Sequence, residues 1–126
     1  MIPRLLMPQG FKASGINSGV RRYRPDLGLV LSDTPCTTVG TFTRNTLKAA
    51  PVQYDMKLLP SDKIRALVVN SGHANAATGA EGLEDNLVLA QKTASTLGVE
   101  ADQVAIASTG VIGVRMPLDI LGPALP

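Results

Sequence analysis

Tryptophan is absent from this chain, and phenylalanine and tyrosine occur only twice each. A core built without large rings has to be assembled from Val, Leu, Ile and Ala. Cysteine occurs once, at Cys36, which excludes an intrachain disulfide and fits a reducing, cytoplasmic setting. Histidine also occurs once, as His73. No second His or Cys stands at ligand spacing from it, so the pattern calls for no metal. No apolar run reaches the roughly 18 residues of a membrane span. The segment from Met1 to Met7 lacks the apolar stretch and cleavage site of a signal peptide. Charge is sparse as well: 17% of residues are charged and the net value is +2, too little to indicate nucleic acid. The one basic cluster, Arg21-Arg22-Tyr23-Arg24, reads as a solvated loop face. What remains is a chain of 126 residues, 44% hydrophobic, long enough for one domain over 1–126 and too apolar for disorder.

Residues 7–15, punctuated by Pro8, Gly10 and Gly15, predict an extended entry with a turn, and Asn17-Ser18-Gly19-Val20 a second turn. Leu27 to Ser32 is short and apolar enough for a strand buried on both faces. Asp33-Thr34-Pro35 should turn the chain into a β-branched, alternating strand from Thr37 to Thr43, making an antiparallel hairpin. Arg44-Asn45-Thr46 is a turn or cap. Pro51 opens a short helix with Val52, Met56 and Leu59 on one face, closed by Pro60-Ser61-Asp62. Ile64 to Val69 predicts a central strand, and Asn70 to Gly79 a long loop of small residues. Thr78-Gly79-Ala80-Glu81 has the form of a capping box. Behind it Leu83, Leu87, Ala90, Ala94 and Leu97 form one helical stripe, with Gly98 as a left-handed stop. Gln103 to Ala107 is a further strand, and Ser108 to Gly113 a turn. Pro117 can open a last helix that Gly122 and two prolines cut short, and such a tail reads as a truncation or a junction. The order strand, loop, helix, strand, loop predicts an α/β fold with a mixed sheet packed by helices. If the two later strands are parallel neighbours, their loops leave the same end of the sheet, where α/β folds keep their sites.

Two stretches offer chemistry. In Ser108-Thr109-Gly110-Val111-Ile112-Gly113, the Thr109 hydroxyl and the Gly110 N–H could hold a developing oxyanion. An ordinary glycine turn after a strand accounts for the same residues, and the glycine spacing matches no phosphate-binding fingerprint. In the second stretch Asn70, His73, Asn75 and Thr78 suit amide or hydroxyl recognition, or a loop that braces itself. His73 as a base has no evident nucleophile to serve, and Cys36 reads as a small buried hydrophobe. The chain therefore reads as half of an active site.

Six blocks carry a resemblance: Gly10 to Gly15, Asp26 to Val30, Gly40 to Asn45, Ala49 to Val52, Val68 to Gly79 and Ala107 to Gly113. In this order and spacing they resemble the ornithine acetyltransferase (glutamate N-acetyltransferase) family of arginine biosynthesis over nearly the whole chain. The resemblance implies a DmpA/ArgJ-like fold and a precursor that cleaves itself before a threonine into α and β chains, assembled as an α2β2 heterotetramer. It further implies that the new N-terminal threonine of the β chain takes acetyl from N-acetylornithine and passes it to glutamate in a ping-pong cycle, without metal or organic cofactor. Thr109 and Gly110 fall on the family's oxyanion pair. His73 stands where the family usually has Asn, and Ala77 where Cys is frequent. No counterpart of the cleavage threonine follows Pro117, so the chain resembles the front part of an α chain, inactive alone. A self-processed aminopeptidase on the same scaffold and a non-catalytic binding or structural homologue are the other readings.

Overall fold

A computed structural model describes residues 7–125. The reading of 1–6 as no signal peptide lies outside the described residues. The elements are β1 (Phe11–Ile16), β2 (Leu27–Thr38), α1 (Ala50–Leu58), β3 (Ser61–His73), α2 (Gly79–Leu97), a 3-10 turn (Ala101–Gln103), β4 (Val104–Val111) and α3 (Leu118–Ala124). The four strands form one sheet in the order β1-β2-β3-β4. β1 and β2, and β2 and β3, run antiparallel, and β3 and β4 run parallel with α2 as their crossover. The mixed α/β sheet expected from the sequence is thus present, with the two later strands as neighbours. No described helix is long and apolar enough to cross a membrane.

The core lies on one side of the sheet. Leu27, Leu29, Ala66, Val68, Val104 and Ile106 pack against Leu89, Ala90 and Ala94 of α2, Met116, and Leu121 of α3. Leu89, Val68 and Val104 are fully buried, and truncating a side chain so placed to Ala costs about 2–5 kcal/mol. Pro117 precedes α3, whose seven residues run through Gly122 and Pro123 to Ala124, so neither residue stops the helix where the sequence reading expected. Gly98 closes α2 in the left-handed region at φ 67, its N–H donating to Ala94 O.

Several local expectations are overturned. The predicted hairpin does not form: β2 runs unbroken from Leu27 through Pro35 to Thr38, and Val39 to Thr43 leave the sheet. Both edges of β2 are already taken, by β1 and β3, so no partner remains for a second strand. Pro35 is tolerated because β2 bulges there, the four residues between Leu31 and Cys36 opposing only Arg65 of β3. In α1 the predicted face is displaced. Met56 is exposed and Leu59 lies past the helix end, whereas Ala50 and Pro51 are buried. Tyr54 turns inward with its hydroxyl 2.9 Å from Ala101 O and 3.2 Å from Val104 O. β3 begins at Ser61, earlier than expected, and runs on through Asn70 to His73, so only Ala74 to Thr78 form the loop.

The stripe on α2 is also rotated. Leu83 and Leu87 are exposed, and the sheet-facing line is Gly82, Asn86, Leu89 and Thr93, beside Ala90 and Ala94. The reason lies in the preceding loop. Asn75, fully buried at φ 48, receives the Thr78 hydroxyl at 2.8 Å and donates to Gly82 O at 2.8 Å. A Cβ at position 82 would overlap Thr78 Oγ1, so glycine is required where loop and helix meet. The predicted capping box does not form: Thr78, at φ −108 and ψ 2, makes no side-chain cap bond, and its hydroxyl is turned to Asn75.

Candidate oxyanion site at the ends of the parallel strands

The stretch Ser108 to Val111, expected as a turn, is the last part of β4, and the chain bends only from Ile112. Parallel pairing holds it: Asn70 stands opposite Ser108, Ser71 opposite Thr109, Gly72 opposite Gly110 and His73 opposite Val111. The two glycines explain how a strand persists here. Gly110 has φ 131 and Gly72 φ 121, both in the region that side chains avoid. A Cβ on Gly110 would overlap the carbonyl carbon and oxygen of Gly72, and one on Gly72 would lie 2.7 Å from the Val20 side chain.

The direction of the backbone donors follows from the ladder. Val111 O accepts the Ala74 N–H at 2.9 Å, and the Gly113 N–H donates to Ala76 O at 2.7 Å. Peptide groups alternate along a strand, so Thr109 and Val111 turn theirs toward β3. Ile106, Ser108 and Gly110 turn theirs to the open edge. The Ile106 N–H displays that direction, donating to the Asp55 carboxylate at 3.2 Å. Side chains alternate too: Val104, Ile106 and Ser108 face α2, and Ala105, Ala107 and Thr109 face the helix-free side. Thr109 is exposed. A hydroxyl on the free face therefore adjoins an N–H on the free edge, and an atom placed off that corner of the sheet can receive both.

The other residues singled out in the sequence are not brought into this constellation. Asn70 donates to His73 O at 2.8 Å, and Asn75 and Thr78 bond each other, so the second stretch braces itself. His73 is half-buried, and no nucleophile bonds to it among the described residues. Cys36 is paired in register with Ile64, seven residues back along β3 from Ser71, or about 23 Å at the usual rise per residue. Its Sγ lies 3.1 Å from Ser32 Oγ. The described residues hold no group of three potential metal ligands.

Two features escaped the sequence reading. The loop between β1 and β2 sits at this same end of the sheet, its Asp26 carbonyl accepting the Ser71 N–H at 2.7 Å. Burial pushes the Asp26 carboxyl up, but the Arg21 and Ser18 N–H groups, each at 2.6 Å, outweigh it and hold the group below the usual carboxylate range. Exposed Arg21, Arg22 and Arg24 are carried on this stiffened loop. A cleft of about 370 Å³ on the helix-free side, lined by Val30, Phe42, Leu59 and Leu67 with Asp55 and Arg65, is the other feature. It lies toward the opposite end of β3 and β4, away from the paired glycines. The cleft leaves no periodic signature because its lining is distant in sequence, and the Asp26 brace, though local, is made by backbone N–H groups that no side-chain pattern marks.

Comparison with known proteins supplies the frame for this geometry. A profile described as the ArgJ family matches residues 12–126. An "arginine biosynthesis bifunctional protein ArgJ" of Thermotoga neapolitana is 45% identical over 117 residues, covering 91% of this chain and 30% of that protein. A mitochondrial protein of the same description from Penicillium rubens is 47% identical over 125 residues, covering 94% and 26%. Among solved structures, the ArgJ protein of Bacillus halodurans superposes with a TM-score of 0.89 at 37% identity, covering 93% of this chain and 62% of that one. An ornithine acetyltransferase of Mycobacterium tuberculosis complexed with ornithine gives 0.89 at 39%, covering 94% and 65%. The chain spans less than a third of the length of these two curated relatives.

Proposed function

Because this chain belongs to the ArgJ family, we propose that it is the N-terminal part of the α chain of a glutamate N-acetyltransferase, contributing the oxyanion hole. The reading rests on one observation: the edge-facing Gly110 N–H beside the exposed Thr109 hydroxyl. In this proposal the β chain of the same precursor supplies an N-terminal threonine, in an α2β2 assembly working in the cytoplasm without a cofactor. The threonine oxygen attacks the acetyl carbonyl of N-acetylornithine, and the carbonyl oxygen, now negative, moves into reach of Thr109 Oγ and Gly110 N–H. Collapse breaks the bond to nitrogen, ornithine leaves as the amine with a proton, and an acetyl ester remains on threonine. The glutamate amine then attacks that ester through a second oxyanion held by the same donors, and the threonine hydroxyl is restored.

Both donors are neutral, and the ladder fixes the direction of the Gly110 N–H, so that donor needs no reorganisation as charge develops. The solved relative that holds ornithine supports the choice of substrate, and the guanidiniums of Arg21, Arg22 and Arg24 at this sheet end favour the approach of anionic glutamate. The test is Thr109→Ala in the complete two-chain protein. A fall of about 10²–10³ in kcat is expected for a lost oxyanion donor, with the β chain still formed. Unchanged acetyl transfer would overturn the assignment, and peptide hydrolysis without an acetyl acceptor would point to an aminopeptidase instead.

A further inference from the structure

Behind the Thr109–Gly110 segment, on the α2 side, three side chains carry polar atoms that are buried and have no hydrogen-bond partner among the described residues. These are Asn70 Oδ1, Ser108 Oγ, and both Oδ1 and Nδ2 of Asn86. Asn70 and Asn86 are each only 1% exposed. The sheet register sets Asn70 and Ser108 side by side on the helix-facing surface, two residues beyond Val68 and Ile106. α2 runs back along these strands, with Leu89 packed in the cluster of Val68 and Ile106. Asn86 lies about one turn nearer the helix start, which brings it to the level of Asn70 and Ser108. The atoms are covered by this chain's own helix and sheet, so further polypeptide docking from outside cannot satisfy them.

We infer that Asn70, Asn86 and Ser108 enclose one ordered water between α2 and the ends of β3 and β4, which holds the oxyanion segment in place from behind. The donor set selects the occupant. A cation would satisfy the oxygens and leave the Asn86 NH₂ facing like charge. An anion would satisfy the NH₂ and oppose Asn70 Oδ1. Water donates and accepts, and buried waters typically make about three hydrogen bonds to groups of this kind. Ser108 immediately precedes Thr109, and β4 is held by the sheet on one side only. A bridge from α2 to Ser108 therefore limits the movement of the Gly110 N–H. Asn86 and Ser108 are positioning residues in this scheme, and that role, unlike the water site itself, rests on the acetyltransferase reading.

The experiment is a high-resolution crystal structure of the complete two-chain protein together with Asn86→Leu, Ser108→Ala and the double variant. Solvent density within hydrogen-bonding distance of at least two of the three side chains is expected. Each single variant should remove that density, shift the Gly110 amide resonance and lower kcat about tenfold with KM unchanged. The double variant should be no worse than either single one, because both act through the same water. Direct bonds among the three side chains, or a dry site in which Asn86→Leu raises Tm and leaves the Gly110 resonance in place, would overturn the inference. Density and resonance are read whether or not the protein transfers acetyl, so a wild type without transfer activity defeats only the proposed function.

Discussion

Replacing Gly110 by alanine tests the geometry of the site most directly. Two costs are incurred together. An L-residue must adopt φ 131, which costs about 1–3 kcal/mol. Its Cβ must also find room where the Gly72 carbonyl carbon and oxygen stand. Those atoms are backbone, so no rotamer change relieves the overlap and the β3–β4 ladder has to open, adding about 1–3 kcal/mol as overpacking does elsewhere. The sum of about 2–6 kcal/mol is a large share of the roughly 5–15 kcal/mol that holds most domains together. Gly113→Ala is the control, since Gly113 has φ 77 but nothing near its added Cβ, and it should incur the backbone cost alone. Thermal unfolding of the complete protein should show Gly110→Ala melting at least about 5 °C below wild type and clearly below Gly113→Ala. Single-turnover acetyl transfer should fall about 10²–10³-fold, as for a lost oxyanion donor. If Gly110→Ala and Gly113→Ala melt together and both turn over normally, the close approach of the two strands is not what the site depends on.

Four further substitutions probe the surrounding frame. Burial pushes the Asp55 carboxyl up to about 6, against the opposing pull of the Ile106 N–H. The folded protein therefore keeps a proton that the unfolded chain releases, and stability falls as pH rises from about 4 to about 6 and is level above. Asp55→Asn keeps the acceptor for Ile106 and removes the charge, so it should gain on the order of 1 kcal/mol near pH 7.5 and nothing near pH 4 in chemical denaturation. Arg115 donates to the buried Asp85 carboxylate at 2.6 and 3.0 Å and to exposed Glu81 at 3.3 Å. Arg115→Gln should lower Tm more than Glu81→Gln, and the difference should persist at high salt, since only the Asp85 carboxylate is shielded from it. Gly82→Ala should destabilise by about 1–3 kcal/mol despite the better helix propensity of alanine. A scan in which it gains stability would show that the Asn75–Thr78 brace yields freely.

The parts legible in the sequence were those whose signal is local. Ile64 to Val69 is a β-rich run, Gly98 stops a helix, and Pro117 opens the last one, and each emerged where its pattern stood. The lost hairpin failed for a non-local reason: Thr37 to Thr43 has strand propensity, but β1, more than ten residues upstream, occupies the edge it would have used. The stripe on α2 misled because the helix turns Gly82, Asn86 and Thr93 to the sheet, a small and polar line that no hydrophobic periodicity marks. Thr109 and Gly110 were legible as a pair. That they end a strand, with one donor on its free face and the other on its free edge, depends on the register with Gly72, which no single segment contains.

The open edge of β4 also bears on how the polypeptide avoids pairing with copies of itself. An unpaired strand edge is a template for strand addition, and proteins commonly blunt such edges with charge, proline or a covering element. Here Asp55 occupies the Ile106 N–H, and the same device cannot be extended to Gly110 without abolishing the donor that the proposed chemistry requires. An unguarded stretch of edge is thus retained at the position where a guard would remove the proposed donor. Self-association through β4 is the hazard this entails for any molecule whose edge is left uncovered.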